Sequence, residues 1–297
     1  MMFRLAQISD PHLGPLPKVA WTDLASKRAF GWYNWRRNRA RAFAPAVLNA
    51  LTEDMLAGRP DHVAVTGDLV NLGLSEEFDN ARAWLENLGA PEDVTVIPGN
   101  HDAYVHGAIE EFTEAWHPYM LGDEAREVHF PFIRRRRNVA IVALSSAVPT
   151  APLMATGEIG GGQAAALASR LAALGRAALF RVVLIHHAPV AKSSHWHKRL
   201  VDGDLFRQAI AEAGAELILH GHNHKTSIAH LPGPKGPVPV VGVAAASKLP
   251  HDGKPGGSYL SFDIEEAGAG FTIRMTERGV LTPGGAVETL SEQSLTE

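Results

Sequence analysis

Residues 62–71, HVAVTGDLVN, form a short apolar run that stops at a glycine and turns polar at Gly67, Asp68 and Asn71. A run this short, rich in β-branched residues and closed by a turn residue, reads as a buried strand leaving a sheet. The same pattern recurs along the chain. FRLAQIS (3–9) ends in Asp10, Pro11 and His12, and VTVIP (94–98) ends in Gly99, Asn100, His101 and Asp102. RVVLI (181–185) ends in His186 and His187, and ELIL (216–219) ends in His220, Gly221, His222, Asn223 and His224. Five strands therefore deliver carboxylates, imidazoles and an amide at their C-terminal ends. In an open α/β sheet those ends form the crevice where ligands bind.

Further strands are expected over 139–144, 238–244, 259–264 and 271–275, and helices over 39–57, 75–88, 107–117, 163–174 and 203–213. Strand and helix alternate as far as Asn223, after which strands follow one another. That order predicts an α/β chain of two mixed sheets packed together and flanked by helices, a four-layer αββα sandwich. The 297 residues suffice for one large domain, and 45% hydrophobic against 20% charged residues excludes a disordered chain. The domain is expected to span 1–278, with an inserted cap segment at about 14–38 and a polar, poorly ordered tail over 279–297. The insert contains Trp21, Phe30, Trp32, Tyr33 and Trp35 and runs into Arg36, Arg37, Arg39 and Arg41. Arg134–Arg137 lie between two strand-like runs and read as a solvated hairpin tip, with a phosphate-binding patch as the lesser reading.

Charge and cysteine content narrow the chemistry. With 28 basic and 32 acidic side chains the net charge is −4, which supplies no field for a polyanion, so extended nucleic acid is not an expected partner. The absence of cysteine excludes disulfides, thiolate metal sites and cysteine nucleophiles. Any metal must then sit on His, Asp, Glu or Asn, and fifteen histidines supply borderline nitrogen donors. The N-terminus MMFRLAQISDPH lacks the pattern of a secretory signal, and no apolar stretch reaches the roughly eighteen residues of a spanning helix. The expected location is cytoplasmic, with peripheral contact at the inner face of a membrane left open.

The spacings have a physical sense. Asp10 with His12, and His222 with His224, are i, i+2 pairs that an extended backbone projects to one side. Gly67, Gly99 and Gly221 each precede a candidate ligand, where the missing Cβ permits a sharp turn and close backbone approach. Two carboxylates, four histidines and one Asn are too many for a single tetrahedral ion and suit two adjacent metals. Two divalent ions and two carboxylates leave about +2, which favours a phosphate anion as substrate.

In this order, D-x-H, G-D, G-N-H-D, a strand-terminal His and G-H-x-H closely resemble the motif blocks of the calcineurin-like metallophosphoesterases. Asp10/His12, Gly67-Asp68, Gly99-Asn100-His101-Asp102, His186 and Gly221-His222-Asn223-His224 match all five, and the resemblance runs from about residue 1 to 265. It implies a metallo-dependent phosphatase-like fold in which one metal takes Asp10, His12, Asp68 and His224. The other shares Asp68 and takes Asn100, His186 and His222. A metal-bridging hydroxide would attack phosphorus in line. His101 would protonate or stabilise the leaving oxygen, with Asp102 orienting its imidazole. The metals implied are Mn or Fe first, with Zn or Ni also suited.

His186 is preferred to His187 as the ligand because it comes first after the strand, and His220 faces the opposite side of the sheet from the i, i+2 pair. Taken alone, Asp10 and Asp68 could be loop carboxylates that cap the following helices. His62, His106, His117, His129, His230 and His251 read as surface or hydrogen-bonded histidines. His195 and His197 are solvated loop residues or substrate contacts, and Arg36 and Arg37 are the other substrate-binding candidates. The aromatic and basic insert is either a cap over the site or a membrane-surface element.

The function expected is hydrolysis of phosphate esters, a phosphodiesterase before a monoesterase, on a small molecule such as a cyclic nucleotide or glycerophosphodiester. One alternative is a membrane-surface pyrophosphatase acting on a lipid-linked nucleotide, similar to UDP-2,3-diacylglucosamine hydrolases. A repair-type nuclease is disfavoured by charge. A non-catalytic interaction scaffold on the same fold is the alternative from another class, and the intact ligand set argues against it.

Overall fold

The computed structural model describes residues 2–268 and 270–296, and within them two six-stranded mixed sheets pack face to face. In chain order the strands are β1 (Phe3–Ile8), β2 (His62–Val65), β3 (Val94–Val96), β4 (Phe132–Arg136), β5 (Val139–Ala143) and β6 (Phe180–Leu184). They continue as β7 (Leu217–His220), β8 (Ser227–Gly233), β9 (Gly236–Gly242), β10 (Ser258–Ala267), β11 (Gly270–Val280) and β12 (Val287–Ser294). The helices are α1 (Arg28–Asn34), α2 (Ala40–Ala42), α3 (Pro45–Ala57), α4 (Ser75–Leu88), α5 (Ala108–Trp116), α6 (Gly160–Arg176) and α7 (Gly203–Ala213). One sheet is ordered β12-β11-β10-β1-β2-β3 and the other β4-β5-β6-β7-β9-β8.

Parallel pairing decides where the site falls. β1, β2 and β3 run parallel, as do β5, β6, β7 and β9. Strands in parallel register bring their C-terminal ends to one edge, so the polar loops that follow them meet there. Both faces of the central strands are covered, which is why they read as unbroken apolar runs. Ile141, Val182, Leu184 and Leu219 join the core between the sheets, with Leu5 and Phe262 from the opposite sheet. Their neighbours Val142, Val183 and Ile218 point outward onto Leu167 and Leu171 of α6 and Phe206 and Ile210 of α7. On the other outer layer α3 buries Val47, Leu48, Leu51 and Met55, a single helical stripe.

The four-layer α/β expectation holds, with three local corrections. The helix expected over 39–57 is interrupted at Phe43 and Ala44, both extended, because Pro45 excludes its predecessor from the helical region and then opens α3 at its first turn. The segment after residue 279 is not a disordered tail. β12 pairs antiparallel with β11 from Val280↔Val287 to Arg274↔Ser294, so the sheet continues well past the expected boundary at 278. Its polar side chains suit an edge strand, whose order comes from backbone pairing.

The third correction concerns Arg134–Arg137. Arg135 and Arg137 are exposed, whereas Arg134 is buried. Its guanidinium donates to the carbonyls of Leu121 (2.7 Å), Val94 (2.6 Å), Pro118 (2.7 Å) and Pro91, knitting β4 to the start of β3 and to the turn that follows α5. No helix among the described residues is long and apolar enough to cross a membrane. Arg134→Ala strands several buried carbonyls and is expected to lower stability by about 3 kcal/mol. Arg135→Ala should change it by under about 0.5 kcal/mol, both read from urea unfolding.

Candidate metal centre

The loops after β1 and β2 are laced together by backbone bonds: the N–H of Asp10 to the carbonyl of Gly67 (2.9 Å) and that of His12 to Asp68 (3.1 Å). Asp10, His12, Asp68, His222 and His224 all have φ between 39° and 68°. That left-handed region is sparsely used by residues with a Cβ and persists where the surroundings over-determine it. Two glycines make the crowding possible. Gly67 has a φ of +94°, and a side chain at Gly99 would collide with the Asp68 carboxylate and backbone.

Two ligand groups result. One ligand atom from each of Asp10, His12, Asp68 and His224 lies within 4.8 Å of the others, and the same holds for Asp68, His186 and His222. His224 Nε2 is 3.1 Å from Asp10 Oδ1 and 3.3 Å from His12 Nε2, and His186 Nε2 is 3.4 Å from both Asp68 Oδ2 and Asn100 Oδ1. The two groups share Asp68, and Asn100 borders the second. All donors are nitrogen or oxygen, which fits borderline first-row cations.

Outer partners aim the imidazoles. His12 Nδ1 meets the Val70 carbonyl (3.1 Å) and His186 Nδ1 the Thr66 carbonyl (2.7 Å). A carbonyl only accepts, so in both rings Nδ1 carries a proton and Nε2 is the atom turned to Asp68. In His222 the Lys198 carbonyl engages Nε2 at 2.9 Å, leaving Nδ1 for the site. Burial drives the pKa of His12 and His222 well below the usual imidazole value. Burial opposes charge on His186 too, yet the Asp68 carboxylate carries its pKa up to about 9. The Asp68 carboxyl itself is held well below its ordinary range, its burial outweighed by His186, His101 and His12. The enclosure thus favours positive charge beside Asp68, the electrostatic requirement of a cation site.

His101 stands beside the groups and outside them. Its Nδ1 donates to the Asn71 carbonyl (2.7 Å), its ring stacks on Tyr104 at 5.4 Å, and its backbone N–H donates to Asp68 Oδ1 (2.7 Å). Asp102 does not orient this imidazole. Its carboxylate accepts the backbone N–H groups of Asp68 (2.9 Å), Leu69 (2.9 Å), Val70 (3.1 Å) and Gly99 (2.7 Å), fixing the two loops that carry Asp68 and Asn100. Four backbone donors at close range outcompete one neighbouring ring.

The remaining candidates separate. His187 is committed elsewhere, to Ser146 Oγ (2.8 Å) and the Ala155 carbonyl (3.3 Å), and His220 bonds the Gly221 carbonyl. His62 is buried against Thr95 Oγ1. Arg36 lies over Trp32 and Arg37 bonds Tyr33 Oη, both exposed and outside the pocket lining. His197 lines the pocket, whereas His195 is exposed and stacks on it.

Arg39 is the residue the sequence reading passed over. Its guanidinium donates to His101 Nε2 at 2.8 Å, and burial followed by this charge pushes the His101 pKa down to about 3. The insert packs as a cap: Leu16, Val19 and Trp32 pack on Leu72, Leu74 and Tyr104, and Lys27 bonds Thr150 Oγ1 (2.8 Å). Beneath it lies a cavity of about 250 Å³ that reaches Asp68, Asn100, His222 and His224.

A fold of this kind with two nitrogen and oxygen ligand groups at the strand ends defines a metal-dependent hydrolase of phosphate esters. The sequence profile of the calcineurin-like phosphoesterases matches residues 3–226, and the chain belongs to that family. Over 98 residues it is 45% identical to the glycerophosphodiester phosphodiesterase GpdQ of Enterobacter lignolyticus, a stretch covering 33% of this chain and 29% of that protein. The match thus spans under a third of that relative's length. Among solved structures, a dimetal phosphatase from Danio rerio superposes with a TM-score of 0.64 at 12% identity, covering 97% of this chain and 98% of that one. A purple acid phosphatase from yellow lupin seeds superposes with a TM-score of 0.65 at 11% identity, covering 99% and 53%. These likenesses show the same fold.

Replacing the shared carboxylate should empty both positions. Asp68→Ala is expected to lose bound metal by plasma mass spectrometry, whereas His187→Ala keeps the wild-type content.

Proposed function

We propose that the chain is a phosphodiesterase for small phosphate diesters, working through a dinuclear centre. Asp10, His12, Asp68 and His224 hold one ion, and Asp68, Asn100, His186 and His222 hold the other. The observation that carries this reading is the meeting of the two ligand groups at Asp68. Nitrogen and oxygen donors without thiolate suit Mn or Fe first, then Zn or Ni. When bound, the two cations supply Lewis acidity toward the phosphoryl oxygens and a water acidic enough to ionise near neutral pH.

The chain's own residues do the rest. Asn71 fixes the His101 ring through Nδ1 so that Nε2, which accepts from Arg39 in this arrangement, faces the cavity, where it serves the leaving oxygen once it has taken up a proton. Asp102 acts at one remove, by holding the loops of Asp68 and Asn100. The cap restricts water and frames the ester with Phe30, Met154 and Lys27. The partial likeness to GpdQ supports a diester, since a second esterified group needs the walls that this cap provides.

A second reading draws on the pocket rim. Trp21, Phe30, Tyr33, Leu153 and Trp196 are exposed on segments that border the pocket, interleaved with Arg36, Arg37 and Lys198. Aromatic and basic side chains together suit an anionic lipid surface and a lipid-linked pyrophosphate. Flotation with anionic vesicles that is lost in a Trp21→Ser, Arg36→Ala variant supports it, and wild-type protein that stays at the bottom of the gradient rejects it.

The main reading is tested on metal-stripped protein reconstituted with Mn²⁺. The expected kcat/KM is higher for a bis-aryl phosphate diester than for the corresponding monoester, and the reverse order contradicts the proposal. His101→Ala should keep its metals and lose about 10²–10⁴-fold in kcat.

A further inference from the structure

Arg39 is an arginine drawn into the fold whose guanidinium finds no oxygen partner. Three others drawn into the fold do find oxygen partners. Arg134 donates to four carbonyls, Arg181 pairs with Glu216 (2.7 Å) and Arg278 pairs with Asp54 (2.6 Å). Arg39 instead donates to a single imidazole nitrogen, His101 Nε2 at 2.8 Å; His12 Nδ1 at 3.4 Å and His101 Nδ1 at 3.5 Å lie near it but carry protons given to carbonyls. It forms no ion pair with a carboxylate among the described residues. The residue is half-buried and lines the cavity together with Lys27 and Lys198. Burial works against its charge, and although the Asp68 and Asp10 carboxylates act on it from nearby, neither bonds to it, so its donors stay open to an anion entering the cavity.

The local backbone delivers this side chain on purpose of geometry. Residues Trp35–Arg39 form a π-turn between α1 and α2. In an uninterrupted α-helix Arg36 and Arg39, three apart, would share a face. The wider turn separates them, so that Arg36 lies out over Trp32 while Arg39 points in at His101. Single π-turns inside helices are frequent at functional sites.

We propose that Arg39 is the residue that receives the substrate's phosphoryl oxygens, supplied to the centre by the inserted cap. This rests on the reading of the cavity as the phosphate-ester site. The planar fork of a guanidinium matches two non-bridging oxygens with two parallel N–H bonds. In the resting arrangement one of those donors occupies His101 Nε2. When the phosphate arrives, the fork turns to its oxygens, and Nε2, until then an acceptor, is freed to take a proton from solvent water and pass it to the leaving oxygen. One side chain therefore both binds the anion and uncovers His101, so His101 is released only where a phosphate is seated.

The test is calorimetric titration of inorganic phosphate into Mn²⁺-reconstituted wild type, Arg39→Met, Arg39→Lys and Arg36→Ala, with metal content and thermal unfolding measured on each. Arg39→Met should weaken phosphate binding about 10- to 100-fold, the worth of a charge-assisted pair of bonds. Arg39→Lys keeps a charge without the fork and should recover only part of the loss, and Arg36→Ala should bind as wild type does. Phosphate affinity within twofold of wild type in metal-replete Arg39→Met, even with a lower kcat, would overturn the proposal and leave Arg39 as a positioning residue for His101. If Arg39→Met fails to fold, an Arg39→Lys variant with unaltered affinity overturns it equally. Wild-type protein that binds no phosphate would overturn the reading of the site itself.

Discussion

Keeping one carboxylate charged while it is buried is the constraint around which this molecule is arranged. Asp68 is almost wholly enclosed, and burial alone would neutralise it. The fold answers with His186, His101 and His12 beside it, and the ligand atoms of Asp10 and His224 on one side and of His222 on the other converge on the same carboxylate. Those imidazoles arrive on strands of both sheets. The site is therefore a seam between the sheets, and the core of Leu5, Val182, Leu184, Leu219 and Phe262 beneath it sets the distance between the two ligand groups. A slip of one residue in any parallel register would turn a ligand away from the seam.

The second tier of the design is made of groups that touch no substrate. Asp102 gathers four backbone N–H groups, and buried Glu77 accepts those of Asn71 (2.8 Å), Leu72 (2.9 Å) and Leu74 (3.1 Å). Together they pin the loop from Asp68 to Leu74 that carries the shared ligand and the Asn71 carbonyl behind His101. Left-handed backbone at five ligand positions is stable only because such bonds hold it. The cap adds aromatic residues, Lys27 and, where it runs on into the π-turn, Arg39 over the cavity, with Lys198 from the loop after β6 on the same lining.

Most of this was legible in the sequence. Apolar runs closed by Gly, Asp, Asn and His marked the strand ends and with them the candidate ligands; their division into two groups sharing Asp68 came from the resemblance to the calcineurin-like metallophosphoesterases, and it is parallel pairing that makes those ends converge. What escaped did so for identifiable reasons. β8 and β12 contain Pro, Gly or charged side chains and owe their order to backbone pairing at or near a sheet edge, which leaves little trace in hydrophobic pattern. Asp102 was assigned to the His101 ring by the family resemblance, and the convergence of remote N–H groups on its carboxylate leaves no trace in the sequence. Arg36 and Arg37 were indistinguishable from Arg39 as letters. Only the π-turn decides which of the three faces inward, and no residue pattern in that stretch signals an i+5 turn.

The central claim is that two ions share Asp68. Electron paramagnetic resonance of the protein loaded with Mn²⁺ tests it most directly, because two ions bridged by one carboxylate are exchange-coupled and separate sites are not. The account predicts a coupled spectrum at full loading that collapses to that of isolated Mn²⁺ as metal is withdrawn. A spectrum of isolated, uncoupled Mn²⁺ at full occupancy would contradict it.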